Sequence, residues 1–282
     1  MPDELLTTFS TGLDFVVACE RLSRLGIDHR VIEPPHDLCF CPVPALVMTR
    51  EARAAWEKDC SGRTGCSGWV DYRPEEDTAL ISAGACYEED AVGQVAICVL
   101  QPCVADETKI RFVAECEKDM DPVLPYLNAV MSAASYNPQA RSLTFLLGQR
   151  LVSLGGRRIT VAKADGIVDA WRCLDRVKGM LNEAWARRSE IEPCFESRSR
   201  PPALELLKRL PGDDCGACGE LTCMAFALRL WSGEVKLSDC RPLYRPENEE
   251  RLRALRQICA GLGVMDESEP VTSQPKSSER KR

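Results

Sequence analysis

The chain has 282 residues, 45% of them hydrophobic and 28% charged, a balance that suits a globular protein with two or three modest cores. Its net charge of −7 argues against nucleic acid or an anionic membrane surface as a partner. The most apolar run, QVAICVLQPCV, falls short of the roughly 18 residues a membrane span requires, and MPDELLTTFS has no secretion-signal pattern, so a cytoplasmic location is expected.

Residues 1–59 read as a small α+β domain. LLTTFS is β-like, and GLDFVVACERLSRLG places Leu13, Val16, Val17, Leu22 and Leu25 at helical spacing before Gly26. DHRVIE and PALVMT are further strands, and REARAAWEKD is a short helix. Residues 60–107 read as a cysteine-containing linking segment that completes one of its neighbours. They hold the turn-rich CSGRTGCSGW and two candidate strands, TALISAGA and VGQVAICVL.

Residues 108–195 read as a second α+β domain. KIRFVAEC alternates as a strand, and DMDPVLPYLNAVMSAA is a helix opening at Asp121 with Pro122 in its first turn. SLTFLLG, RLVSLGG and RRITVAKA form a meander. GIVDAWRCLDRVKGMLNEAWARRSE is a long amphipathic helix whose stripe is Ile167, Trp171, Leu174, Val177, Met180, Leu181 and Trp185. Strand, helix, three strands, helix gives an antiparallel sheet covered on one face. IEPCFESRSRPP is a surface connection. Residues 196–262 form a small helical module, and residues 263–282 a polar, disordered tail. The expected fold class is therefore α+β: two small domains with antiparallel sheets, then a helical module.

Sixteen cysteines is a high count for a cytoplasmic chain, where disulfides are disfavoured. Metal binding, redox work and use as small buried hydrophobes remain. Such a number of free thiols suits a cell that lives with little oxygen. With only His29 and His36, histidine-based acid–base chemistry and His-rich zinc sites are poorly supplied.

Four of the thiols stand out. LPGDDCGACGELTCMAFALRLWSGEVKLSDCRPL sets Cys215, Cys218, Cys223 and Cys240 in the spacing C-x2-C-x4-C-x16-C. Gly216 and Gly219 allow positive φ, so that the backbone can wrap closely. Thr222 suits an N-cap, Cys223 the first turn of a helix, and Gly233 its stop. Ala225 and Ala227 leave room for a bulky group against that helix, whose N-terminus offers N–H donors to an anion. A structural zinc site usually takes two short knuckles, whereas here sixteen residues and a helix split the second pair. A redox CxxC of thioredoxin type requires a βαβ context and no further cysteines. The spacing favours a 4Fe–4S cluster over both.

The same stretch resembles the 4Fe–4S domain of the corrinoid iron–sulfur protein and the cluster domain of the Rnf complex B subunit. The resemblance runs from Leu210–Pro211 through all four cysteines, over about 35 residues, and implies those cysteines as cluster ligands. No corrinoid-binding barrel accompanies it, so methyl-carrier activity is not implied. VLPYLNAVMSAASYNPQARSLTF, RRITVAKA, RRSEIEP and RPPALELLKRLP resemble stand-alone iron–sulfur proteins of anaerobes. TTFSTGLDFVVACERLSRLGIDHRVIEPP is similar to small selenium/sulfur carrier-like domains, but these continue with a Cys-Gly pair where this chain has DLCFCPVP.

The remaining cysteines carry no ligand spacing. Cys39, Cys41, Cys60, Cys66, Cys98 and Cys103 could be imagined as a second site, but read as scattered small residues in strands and turns. Cys19, Cys116, Cys173 and Cys259 lie on apolar stripes and read as core. No phosphate loop, dinucleotide fingerprint or enzymatic constellation is found. The expected role is electron transfer with a protein redox partner, or redox support of an anaerobic enzyme system. The alternatives are a cluster-stabilised adaptor or maturation factor, and a sulfur- or selenium-handling protein acting through Cys39 or Cys41. Asp213, Asp214, Glu220 and Asp239 flank the ligands and are expected to lower the cluster's potential.

Overall fold

The computed structural model describes residues 3–59, 65–75, 84–131, 134–197 and 201–262. TALISAGA lies largely outside the described residues, as do Cys60 and the 263–282 tail. The chain forms two compact units, residues 1–200 and 201–282. The fold class is α+β.

Unit 1 holds two antiparallel sheets. The first contains β1 (Glu4–Thr7), β2 (Arg30–Ile32), β3 (Ala45–Thr49) and β4 (Val70–Asp71), in the order β2-β3-β1-β4. The period of two along β3 feeds two cores: Leu46 and Met48 meet α1 (Gly12–Leu25) and α2 (Arg50–Asp59), while Ala45 and Val47 join the core of the second sheet. Helix α1 begins where the Thr11 hydroxyl accepts from the Asp14 N–H and ends at Gly26, φ 62°. Its buried face differs from the expected one. Leu22 is buried, but Leu13 is 73% exposed and Val16, Val17 and Leu25 also face outward. Phe15, Ala18, Cys19 and Leu22, an equally regular i, i+3, i+4, i+7 set, point inward instead. The edge-to-face contact of Phe9 with Phe15, 6.0 Å between ring centres, accompanies that orientation.

The second sheet contains β5 (Val95–Pro102), β6 (Ile110–Cys116), β7 (Ser135–Asn137), β8 (Ser142–Leu147), β9 (Arg150–Gly155) and β10 (Arg158–Ala164), in the order β5-β6-β10-β9-β8-β7. The β8–β9–β10 meander is as expected. Residues 60–107, expected as a linking segment, supply β4 to one sheet and β5 to the other. Helix α3 (Leu124–Val130) is shorter than expected, with Pro125 rather than Pro122 in its first turn. Asp121 lies in the preceding turn, where its carboxylate accepts from the Gly156 N–H at 2.7 Å. Met131 is extended, and Ser135–Asn137, which the sequence pattern leaves unassigned, adds an edge strand. Helix α4 (Ile167–Ala186) covers one sheet face with Ile167, Trp171, Leu174, Val177 and Leu181.

Unit 2 is helical among its described residues. It consists of α5 (Ala203–Leu207), α6 (Cys223–Trp231) and α7 (Glu249–Leu262), with single 3-10 turns at Leu237–Asp239, Arg241–Tyr244 and Pro246–Asn248. Helix α5 packs on α6, and α7 packs on the 3-10 turns. Phe226, Ala227 and Leu230 of α6 are buried, as are Leu206, Leu210, Leu243 and Leu255. No helix among the described residues is long and apolar enough to cross a membrane.

Candidate metal centre

The cysteine loop follows α5. The Arg251 guanidinium on α7 donates to the Leu210 and Pro211 carbonyls, at 2.7 and 3.2 Å, and so fixes the loop's entry. The chain then turns through Gly212, Gly216 and Gly219, all at positive φ, and the Gly219 N–H donates to the Gly216 carbonyl at 3.0 Å. Asp214 also takes a left-handed backbone, φ 44°, unusual for a residue with a side chain. Its carboxylate accepts from the Cys223 N–H at 2.6 Å and ties the loop to the start of α6. Thr222 caps the same helix, accepting from the Ala225 N–H at 3.1 Å. Two of the first N–H groups of α6 are therefore engaged by Asp214 and Thr222, where they had been expected to face a bound anion.

Cys240 returns from beyond the helix, between the 3-10 turns Leu237–Asp239 and Arg241–Tyr244. Cys215, Cys218, Cys223 and Cys240 line one recess of about 320 Å³ that is partly open to solvent. Its other walls include Pro211, Phe226 and Pro242. The contact residue expected from helix α6 was alanine, but Phe226 lines the recess, while Ala227 is buried elsewhere in the unit. Cys215 is exposed, Cys218 and Cys223 are half-buried, and Cys240 is buried. Burial pushes the Cys240 thiol up to about 11; the Leu243 N–H opposes that shift, and the neighbouring Cys218, Cys223 and Cys215 add to it. A desolvated Cys240 thiolate beside three further sulfurs calls for a cation among them. A soft, thiolate-seeking metal group supplies that positive charge, and the donor set fits an iron–sulfur cluster.

Three of the four acids around the recess, Asp214, Glu220 and Asp239, are engaged. Glu220 pairs with Arg229, which also reaches Glu234 at 3.3 Å. Asp239 accepts from the Lys236 N–H at 2.9 Å. Asp213 alone of the four has no partner among the described residues. Asp214 and Arg251, which brace the loop, were missed as such: an aspartate two residues from a glycine reads as turn filler, and an arginine on α7 as a solvated charge.

The other thiols are spread through unit 1 and α7. Cys116 and Cys173 are buried, and desolvation pushes each to about 12. Cys259 is buried and Cys19 half-buried. Cys103 is also buried, Cys98 is half-buried with its thiol 3.3 Å from the Val113 carbonyl, and the Cys66 backbone pairs with Phe9 in an isolated antiparallel β-bridge. Cys41 is exposed. Contrary to the expectation of a chain without disulfides, Cys39 and Cys86 are bonded to each other. Among the described residues, no three His, Cys, Asp or Glu side chains are grouped as a single metal ion requires.

Residues 210–242 match the family profile described as "Putative Fe-S cluster". The chain is 44% identical over 69 residues to the acetyl-CoA decarbonylase/synthase complex subunit gamma of Methanosarcina acetivorans, covering 21% of this chain and 15% of that protein. It is 51% identical over 37 residues to the corrinoid/iron-sulfur protein large subunit of Moorella thermoacetica, covering 13% of this chain and 8% of that protein. An uncharacterized protein of Methanocaldococcus jannaschii is 40% identical over 65 residues, covering 23% of this chain and 29% of that protein. The matches thus span less than a third of each relative's own length. No solved structure matches the chain. The profile match covers the cysteine loop, helix α6 and Cys240, which supports an iron–sulfur cofactor there; it does not extend to the N-terminal stretch expected to be selenium/sulfur carrier-like.

Proposed function

We propose that unit 2 binds one 4Fe–4S cluster through Cys215, Cys218, Cys223 and Cys240, and that the cytoplasmic protein carries electrons to a protein partner within an anaerobic enzyme system. The observation that carries this reading is the recess itself: four thiols of the C-x2-C-x4-C-x16-C motif line one pocket together with Pro211, Phe226 and Pro242. Four thiolates complete the coordination of a cubane cluster and leave no iron site open to substrate, which favours electron transfer over chemistry at the metal. The exposure of Cys215 sets one edge of the site at the surface, where a partner can approach. The names of two relatives, a complex subunit and a large subunit, agree with work inside an assembly.

The test is metal and sulfide analysis of anaerobically purified protein. The expected result is about four irons and four sulfides per chain. One tightly bound zinc without sulfide would overturn the assignment. Cys223→Ser should abolish or severely weaken cluster binding. Cys173→Ala, which removes a fully buried thiol on α4, should leave iron content intact. Equal iron loss in both variants would show that the ligands are misassigned.

A further inference from the structure

Two loops of unit 1 meet at the Cys39–Cys86 disulfide, with the Cα atoms 5.5 Å apart. Neither loop depends on the sulfur bond for its position. The carboxylate of Asp175 on α4, itself 1% exposed, accepts from the Cys39 N–H at 2.8 Å and from the Gly84 N–H at 2.6 Å. Gly84 also lies against the helix backbone: a Cβ there would fall 2.3 Å from the Asp175 carbonyl oxygen. On the helix side, a Cβ at Gly179 would come within 3.0 Å of the Gly84 Cα. The absence of both side chains lets loop and helix touch, and the buried carboxylate holds both cysteine-bearing segments.

The reduced state is provided for as well. The Cys39 Sγ lies 3.1 Å from the Gly84 carbonyl, so a Cys39 thiol has an acceptor at hand without any loop movement. Cys86 is exposed and Cys39 half-buried. An incoming thiolate therefore reaches Cys86 first, and Cys39 is the leaving sulfur. A disulfide used as a staple constrains loops that would otherwise be free. These loops are already constrained, and in the reducing compartment proposed for this chain disulfides are usually transient and serve catalysis or sensing.

We propose that Cys39 and Cys86 form a redox-active couple that exchanges two electrons with an external dithiol. A thiolate of the dithiol attacks the Cys86 Sγ, the Cys39–Cys86 bond breaks, and Cys39 leaves as a thiolate and takes up a proton. The second thiol of the dithiol then attacks the mixed disulfide and releases Cys86, which is protonated in turn. The dithiol departs as a disulfide, having given up two electrons and two protons. Asp175 is the positioning residue that keeps both sulfurs in place in both states.

The test uses the full chain, held anaerobically in mixtures of reduced and oxidised dithiothreitol. Free thiols are alkylated and located by mass spectrometry, which separates Cys39 from Cys41. The expected result is that Cys39 and Cys86 become labelled together, with a two-electron dependence, reversibly, and with the far-UV spectrum unchanged. In Cys86→Ser, a change at an exposed site, Cys39 should be labelled in every mixture. A bond that resists dithiothreitol until the protein is denatured would overturn the proposal. Labelling of both native cysteines in fully oxidised buffer, or a Cys39 that stays protected in Cys86→Ser, would do the same.

Discussion

Asp214 offers the most direct test of how the ligand loop is held. Two contributions meet at this residue. Its carboxylate accepts from the Cys223 N–H, the first of helix α6, and a side-chain bond of this kind is worth about 1 kcal/mol, within a range of roughly 0.5–2. Its backbone also sits at φ 44°, which costs an ordinary L-residue roughly 1–2 kcal/mol and glycine almost nothing. Aspartate tolerates the left-handed region better than alanine because its short polar side chain bonds locally. Asp214→Ala therefore loses the bond and acquires the backbone cost, about 2 kcal/mol together. Asp214→Gly loses the bond but relieves the backbone, leaving about 1 kcal/mol or less. Asp214→Asn keeps an acceptor and the tolerance but not the charge, and should lose about half a kcal/mol. The assay is amide hydrogen exchange of the peptide spanning Cys223–Trp231 in metal-free protein. The alanine variant should exchange roughly 30-fold faster and the glycine variant about fivefold faster, since 1.4 kcal/mol is a factor of ten. Iron release to a chelator from loaded protein should rank the variants in the same order. Equal exchange in the alanine and glycine variants would refute the backbone contribution, and no change in any variant would refute the bond.

Two further perturbations concern unit 1. Arg150, nearly buried, bonds Asp169 at 2.6 and 2.5 Å and Asp165 at 3.0 Å, so Asp169→Ala leaves a desolvated guanidinium with half its partners. The loss should be about 3–5 kcal/mol, which for a unit of this size lowers its calorimetric transition by roughly 6–20 °C; a fall under about 3 °C would contradict the buried pair. Glu75 accepts from the Val168 and Asp169 N–H groups at the start of α4, yet burial raises its pKa above the ordinary glutamate value. The folded state then binds the proton more tightly than the unfolded one, so this group's stabilisation is full below the ordinary glutamate range and is lost as pH rises through the raised value. Glu75→Gln should flatten that decline in urea-midpoint measurements across the window, and parallel curves for the two proteins would count against it.

The elements that the sequence revealed are those whose apolar pattern has a single solution. β6 alternates strictly, with Ile110, Phe112, Ala114 and Cys116 buried, and α4 has one broad stripe. α1 carried two stripes of equal regularity, and a neighbouring aromatic, Phe9, lay on the side of the less obvious one. The polar side of α4 gave no signal for a different reason. Asp175, Lys178 and Asn182 recur at helical spacing off the apolar stripe, yet all three are buried. They accept from the Gly84 N–H, donate to the Gly93 carbonyl and accept from the Ala91 N–H, and so hold the backbone of residues 84–93 where no strand ladder reaches it. Polar residues that serve another segment's backbone leave no periodic signal of their own. The same limit hid the disulfide: Cys39 and Cys86 are separated by 47 residues and meet only because Asp175 draws both loops to one helix.

At the metal centre the spacing of thiols and glycines was legible, because a loop that must wrap a compact group requires small residues between ligands. The electrostatics were not, because counting carboxylates ignores their partners. Four acids flank the four cysteines in the chain, but Arg229 offsets Glu220, and Asp239 accepts from the Lys236 N–H. Asp213 and Asp214 remain beside Cys215, and Asp214 points at the Cys223 N–H. That contact removes a donor that would otherwise have favoured added negative charge on a bound cluster. The same bond thus does two opposed things for the loop. It secures the geometry that brings Cys215 and Cys223 to one recess, and it draws a helix N–H away from the charge that such a recess would hold.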